Sequence, residues 1–166
     1  MKKALGVLVY ALLLFAQEKI SYEEDIDVQE AYEMMQKGAI LIDVRTAGEY
    51  IYAGHPLGAV SIPVFEYSYK PKAITLRVKF AQKEHQKALD AHKIYDITPI
   101  ENKNFLQSAK KAIALTKAKK ILVICRSGAR SAYAANILAK EGFSGVYNVE
   151  GGFLEWKKAK LPYSGE

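Results

Sequence analysis

Residues 121–131 read Ile-Leu-Val-Ile-Cys-Arg-Ser-Gly-Ala-Arg-Ser. The run Ile121–Cys125 is branched and apolar, with lysines on one side and a polar loop on the other. It is the strongest strand signal in the chain. The loop passes at Ala129 into an alanine-rich stretch that reads as a helix to Glu141, closed by Gly142. A cysteine ending a buried parallel strand lies at the carboxyl edge of its sheet, where ligands bind in open α/β folds. Backbone N–H groups of such a loop can turn inward at the sulfur, and the helix dipole adds partial positive charge. Arg126 and Arg130 are expected to add full charges nearby. All these effects favour thiolate over thiol and create a nucleophile. Gly128 lets the backbone curl with no Cβ in the pocket.

Working outward, Ala39–Val44 (AILIDV) reads as a buried strand, Thr46–Ala53 as a short helix ended by Gly54, and Ala59–Ile62 as a strand stopped by Pro63. Asp27 resembles an N-cap with Glu30 completing a capping box, for a helix from Val28 to Lys37 ended by Gly38. Downstream, Gly145–Val149 reads as a last strand and Gly152–Ala159 as a last helix. Between Pro63 and Lys120 the pattern loosens. Val64–Tyr69 is aromatic and irregular, residues 75–93 fit one amphipathic helix, and Asn102–Lys117 fits a second, with Pro99 between them. There are no internal repeats. Apolar strands alternating with helices imply an α/β fold: an open sheet of mostly parallel strands with helices on both faces.

The chain has 166 residues, half of them hydrophobic, which suits one domain with a real core. Lys2 and Lys3 followed by the apolar run Ala4–Ala16 fit a secretory signal over residues 1–16, with an uncleaved anchor as the alternative. The expected location is therefore periplasmic or secreted, and contact with a membrane is expected only if the segment stays uncleaved. Residues 17–25 are polar and acidic and read as a linker. Removing residues 1–16 lowers the net charge from +6 to +4. The lysines are scattered, and no base-stacking aromatic pattern accompanies them, so nucleic acid is not an expected partner. Attraction of a small anion is the more economical reading. Cys125 is the one cysteine, so no internal disulfide can form.

The loop CRSGARS (125–131) resembles the active-site loop of the rhodanese, or sulfurtransferase, family. Leu41-Ile42-Asp43-Val44-Arg45 with Glu49-Tyr50 is similar to that family's first strand motif. Gly54-His55-Pro56-Leu57-Gly58-Ala59 with Ser61-Ile62-Pro63 resembles its glycine-histidine segment, and Glu150-Gly151-Gly152-Phe153 with Trp156 its C-terminal motif. The resemblance covers residues 26–63 and 119–162, and implies a rhodanese-like domain over 26–162 with an insertion at about 64–118. It implies Cys125 as the catalytic residue, carrying sulfur as a persulfide. Arg126, Ser127, Gly128, Ala129, Arg130 and Ser131 are implied as the substrate-binding cradle. Cys125 to Arg130 spans six residues, the size associated with sulfur handling; the related phosphatases and arsenate reductases have one residue more.

Four further residues are implied as structural support of the site. Asp43 is expected to accept loop N–H groups, Arg45 to pair with Glu49, and His55 to belong to a turn. The position of Glu49 commonly holds a donor-binding arginine in two-domain thiosulfate enzymes. His85 and His92 lie seven apart and read as a solvated face rather than a metal site. Phe153 and Trp156 read as core, and Tyr67 and Tyr69 as candidates for the pocket rim. The expectation is a sulfurtransferase moving sulfane sulfur from an anionic donor, thiosulfate or polysulfide, to a thiol or protein acceptor, with no metal or organic cofactor. The alternatives are a non-enzymatic persulfide carrier that binds a partner, and a cysteine-dependent phosphatase or arsenate reductase.

Overall fold

The computed structural model describes residues 20–83 and 91–165. The expected signal segment and His85 lie outside these residues. In chain order the elements are β1 (Glu24–Ile26), α1 (Val28–Gln36), β2 (Ile40–Asp43), α2 (Ala47–Tyr52), β3 (His55–Pro56), β4 (Val60–Ser61), β5 (Phe65–Pro71) and α3 (Ile74–Lys83). There follow α4 (Ala91–Ile94), β6 (Tyr95–Glu101), α5 (Phe105–Thr116), β7 (Ile121–Ile124), α6 (Ala129–Lys140), β8 (Val146–Val149), α7 (Gly152–Lys158) and β9 (Tyr163–Ser164).

Five strands form one sheet in the order β1-β8-β7-β2-β4. Every neighbouring pair is parallel, with Ile40 opposite Ile121 and Asp43 opposite Ile124 at the centre. The four residues of β2 and the four of β7 are all buried, because both faces of the sheet are covered. Successive side chains alternate between two cores. Ile40, Ile42, Ile121, Val123 and Cys125 face one core, which Phe105, Ala109 and Ile113 of α5 and Ala134, Ala135 and Leu138 of α6 complete. Leu41, Leu122 and Ile124 face the other, with Val28 and Ala31 of α1 and Phe153 and Trp156 of α7. The expected α/β architecture, a parallel sheet with helices on both faces, is the observed one.

Three local expectations are corrected. The described part of the 17–25 linker is built into the domain: Tyr22 is buried in a core and Glu24–Ile26 pairs with β8. A three-residue edge strand needs no apolar alternation, and its acidic residues keep the edge from pairing further. The irregular aromatic segment is β5, which forms a seven-residue antiparallel ladder with β6. Pro99 therefore sits within a strand, opposite Tyr67, rather than between two helices. Its missing N–H is tolerable in a two-stranded ribbon with free edges. The helix expected over 75–93 is described in two pieces, α3 and α4, which lie at the far end of this arm. At its base the arm is tied to α6: Phe65 stacks on Tyr133 at 5.3 Å, and the Tyr133 hydroxyl donates to Glu101 at 2.9 Å.

Candidate active site

Because all five sheet strands run the same way, their carboxyl ends share one edge. That edge gathers Asp27 after β1, the Asp43–Thr46 segment after β2, the loop after Cys125, and Glu150–Gly152 after β8. Cys125 follows β7 directly and is 1% exposed. The loop folds back over the sulfur, so that Gly128 N–H donates to Sγ at 3.2 Å. Ser131, buried in the first turn of α6, places its Oγ 3.4 Å from Sγ and 2.8 Å from the Gly128 carbonyl oxygen. A hydroxyl has one proton, so this rotor serves the carbonyl or the sulfur in turn.

Burial pushes the Cys125 thiol up, but the Ser131 hydroxyl and the N–H groups of Ser127, Ser131 and Gly128 outweigh it, and the net shift is downward. The thiolate is thus stabilised by hydrogen bonds. Of the three effects expected from the sequence, the inward N–H groups, the helix dipole and the two arginines, hydrogen bonding by the loop is the one that lowers the thiol here. Arg126 is exposed. Arg130 is held in a two-point ion pair with Glu49: Nη1 to Oε2 and Nη2 to Oε1, both 2.7 Å. The expected Arg45–Glu49 pair is absent for a geometric reason. Arg45 precedes Thr46, which is the N-cap of α2, so Arg45 and Glu49 do not share a helix face. Thr46 and Glu49 form a capping box, in which Glu49 Oε2 accepts from Thr46 N at 3.1 Å and from Thr46 Oγ1 at 3.0 Å. The Thr-x-x-Glu spacing at 46–49 was the sequence signal that commits Glu49 to this turn. Glu49 is lowered to about 2: burial opposes this, but the Arg130 guanidinium and the Thr46 donors prevail. Its carboxylate in turn holds Arg130 well above the ordinary guanidinium range.

Arg45 pairs instead with Asp43, Nη2 to Oδ2 at 2.6 Å, with both side chains buried. Asp43 therefore accepts from Arg45 rather than from the cysteine loop. Arg45 also donates to the Gly54 carbonyl at 2.7 Å and lies 4.2 Å from the centre of the Phe153 ring. The pair links β2, the turn before β3, and α7 beneath the site. His55 is a turn residue. Its Nδ1 lies 2.9 Å from the Tyr50 carbonyl oxygen, which can only accept, so the proton resides on Nδ1. Its ring stacks on Tyr50 at 3.6 Å.

Two glycines shape the cradle. Gly128 has φ +110°, while a Cβ there would meet nothing closer than 3.6 Å, so its requirement is conformational rather than spatial. Gly152 is the residue the sequence reading left without a role. Its φ is +57°, and a Cβ would lie 2.6 Å from the Cys125 carbonyl oxygen and 2.7 Å from Ser127 N. The cysteine loop thus rests directly on the start of α7, where Phe153 N–H donates to the Cys125 carbonyl at 2.8 Å and Leu154 N–H to that of Arg126 at 3.1 Å. Of the two tyrosines expected at the pocket rim, Tyr69 is exposed, and both rings lie side by side on β5 with centroids 6.3 Å apart. A groove of about 440 Å³ opens beside Ser127, walled by Asp27, Glu150 and Glu155. A larger cavity of about 540 Å³ lies at the opposite edge of the sheet, among Lys37 and Lys117–Lys120, remote from the sulfur.

The arrangement can present a thiolate nucleophile at the base of an N–H-lined cradle. Comparison with known proteins agrees with that assignment of the fold. The model of the rhodanese-like domain matches residues 27–159. Rhodanese-like domain-containing protein 14 of Arabidopsis thaliana is 31% identical, covering 82% of this chain, and the chain spans 63% of that protein's length. Thiosulfate sulfurtransferase 18 of the same plant is 30% identical, covering 91% of this chain and 88% of the relative. Thiosulfate sulfurtransferase GlpE of Haemophilus influenzae is 28% identical, covering 84% and 92%. Among solved structures, Rv0390 from M. tuberculosis superposes with a TM-score of 0.59 at 24% identity, covering 87% of this chain and 99% of that one. This chain belongs to the rhodanese-like domain family.

Proposed function

We propose that the protein is a sulfurtransferase that carries sulfane sulfur as a persulfide on Cys125. The observation that carries this reading is the donor set around Sγ: the Gly128 N–H at 3.2 Å and the Ser131 hydroxyl at 3.4 Å, at the base of a loop whose N–H groups face inward. Names of relatives support it, since two of them are thiosulfate sulfurtransferases. In the first half-reaction the Cys125 thiolate attacks the outer sulfur of a donor such as thiosulfate. The new S–S bond forms as the donor's own S–S bond breaks, and sulfite leaves with the electron pair. The terminal sulfur of the persulfide anion takes up the donors aimed into the cradle. In the second half-reaction a nucleophilic acceptor, cyanide or a thiolate, attacks that terminal sulfur, and Cys125 departs as the thiolate it was. No proton or external electron is required in either step. With a polysulfide donor the leaving group is the polysulfide shortened by one sulfur.

Export to the periplasm or cell exterior is part of the proposal, supported by the apolar run Ala4–Ala16 after two lysines. The test is steady-state kinetics with thiosulfate or polysulfide as donor and cyanide as acceptor. Parallel double-reciprocal lines and loss of turnover in Cys125→Ser are expected. Turnover by Cys125→Ser at the parent rate would overturn the reading. Stoichiometric loading without turnover would assign the protein as a sulfur carrier instead.

A further inference from the structure

Arg130 lies in the first turn of α6, next to the serine whose hydroxyl faces the Cys125 sulfur, where a free guanidinium would attract an anionic donor. Yet it is already occupied. Both carboxylate oxygens of Glu49 bind it, each at 2.7 Å, in the fork-to-fork geometry that makes arginine pairs strong. Glu49 cannot swing aside freely, because Oε2 also accepts two bonds from Thr46. The pair is only partly open to solvent, with side-chain exposures of 19% and 29%, so it is weakly screened. Arg126 of the same loop is exposed and keeps a positive charge beside the cradle, while Asp27, Glu150 and Glu155 wall the groove beside Ser127. A cradle of N–H groups and one hydroxyl, with one exposed arginine beside it, suits a single negative charge on a terminal sulfur better than a double one.

We infer that Glu49 is a specificity-determining residue: by neutralising Arg130 at the rim it turns the pocket away from doubly charged donors such as thiosulfate and toward singly charged, sulfur-terminated ones, the hydropolysulfides and low-molecular-weight thiol persulfides. This rests on the sulfurtransferase reading and deepens it. For the favoured donor the step balances as before. The Cys125 thiolate attacks the terminal sulfur of the donor's S–S bond, that bond breaks, and the thiolate or shortened polysulfide leaves with the pair.

The test compares Glu49→Gln and Glu49→Asp with the parent. Glutamine keeps an oxygen for Thr46 but removes the charge; aspartate keeps the charge but shortens the reach. Cys125 loading is measured with thiosulfate and with hydropolysulfide as separate donors, and thermal melting confirms that each variant is folded. In Glu49→Gln the ratio of kcat/KM for thiosulfate to that for hydropolysulfide should rise about tenfold, equivalent to about 1.4 kcal/mol. The rise should come through a lower KM for thiosulfate. Glu49→Asp should change the ratio less than about threefold, since a negative charge remains at the rim. An unchanged ratio in folded Glu49→Gln overturns the inference while leaving sulfur transfer intact, and so does an equal change in both variants. If the parent takes sulfur from neither donor, the sulfurtransferase reading fails and this inference fails with it.

Discussion

Replacing Ser131 by alanine removes the side-chain hydroxyl that faces the Cys125 sulfur, while the loop N–H groups remain. The thiol should then titrate at higher pH than in the parent, because a donor that favours the thiolate is lost and burial is not. The rate of alkylation by iodoacetamide against pH reads this directly. The inflection should lie below the ordinary thiol value of 9.0 in the parent and move up in Ser131→Ala. No movement would assign the shift to the backbone alone. Glu49 offers a second titration. Its carboxyl is lowered from 4.5 to about 2. A depressed carboxyl stabilises the fold fully above its ordinary value and loses that contribution as the pH falls toward the folded one. Glu49→Gln should therefore be less stable than the parent at neutral pH by roughly 2 kcal/mol, after allowance for partial solvent screening. In urea titrations the gap should close progressively between about pH 5 and pH 2. A gap that stays constant across that range would show that the ion pair contributes little. At this scale the placement of Cys125 between an apolar strand and a helix was plain in the sequence, and the structure has it between β7 and α6. The partner exchange between Arg45 and Arg130 was not. It pairs residues 81 apart in the chain, and only the Thr46-x-x-Glu49 cap hinted that Glu49 was committed elsewhere.

Elements were legible wherever burial imposed a pattern. β7 and the first three residues of β2 are continuous apolar runs because α1 and α7 cover one face and α5 and α6 the other. The helices from Val28 and Ala47 begin where Asp27 and Thr46 cap them. The start of α7 carries a harder constraint. Gly152 has a positive φ and the cysteine loop passes within a Cβ's reach, so Gly152→Ala must displace that loop or α7. Left-handed backbone and overpacking together should cost about 2–4 kcal/mol. Thermal melting should register the loss, and the alkylation rate of Cys125 should change with it, because Phe153 and Leu154 bind the loop carbonyls. A variant with parent stability and parent reactivity would refute the claim that α7 positions the loop. The β5–β6 arm escaped the sequence reading although its period was present. Phe65, Tyr67 and Tyr69 alternate with Glu66, Ser68 and Lys70, as strand residues do. The partner strand begins only at Tyr95, so the pairing is non-local, and a proline in the middle of β6 argued against it.

At the scale of the whole molecule, one directional fact organises the chemistry. Parallel strands send their following loops to a single edge, so residues from four separate parts of the chain meet around one sulfur. The two cores hold that edge still, and the buried Asp43–Arg45 pair ties its floor to α7. The arm is anchored on α6 through Phe65 and Tyr133. The fold class followed from strand and helix alternation, whereas the charge balance of the rim did not, because it depends on which ions pair across the mouth. The account stands or falls on sulfur binding to Cys125. Intact mass spectrometry of the protein after brief exposure to thiosulfate or hydropolysulfide measures it most directly. The predicted result is a gain of one sulfur atom, absent in Cys125→Ser and reversed by cyanide with release of thiocyanate. An unchanged mass with both donors, or a gain that persists in Cys125→Ser, would contradict it.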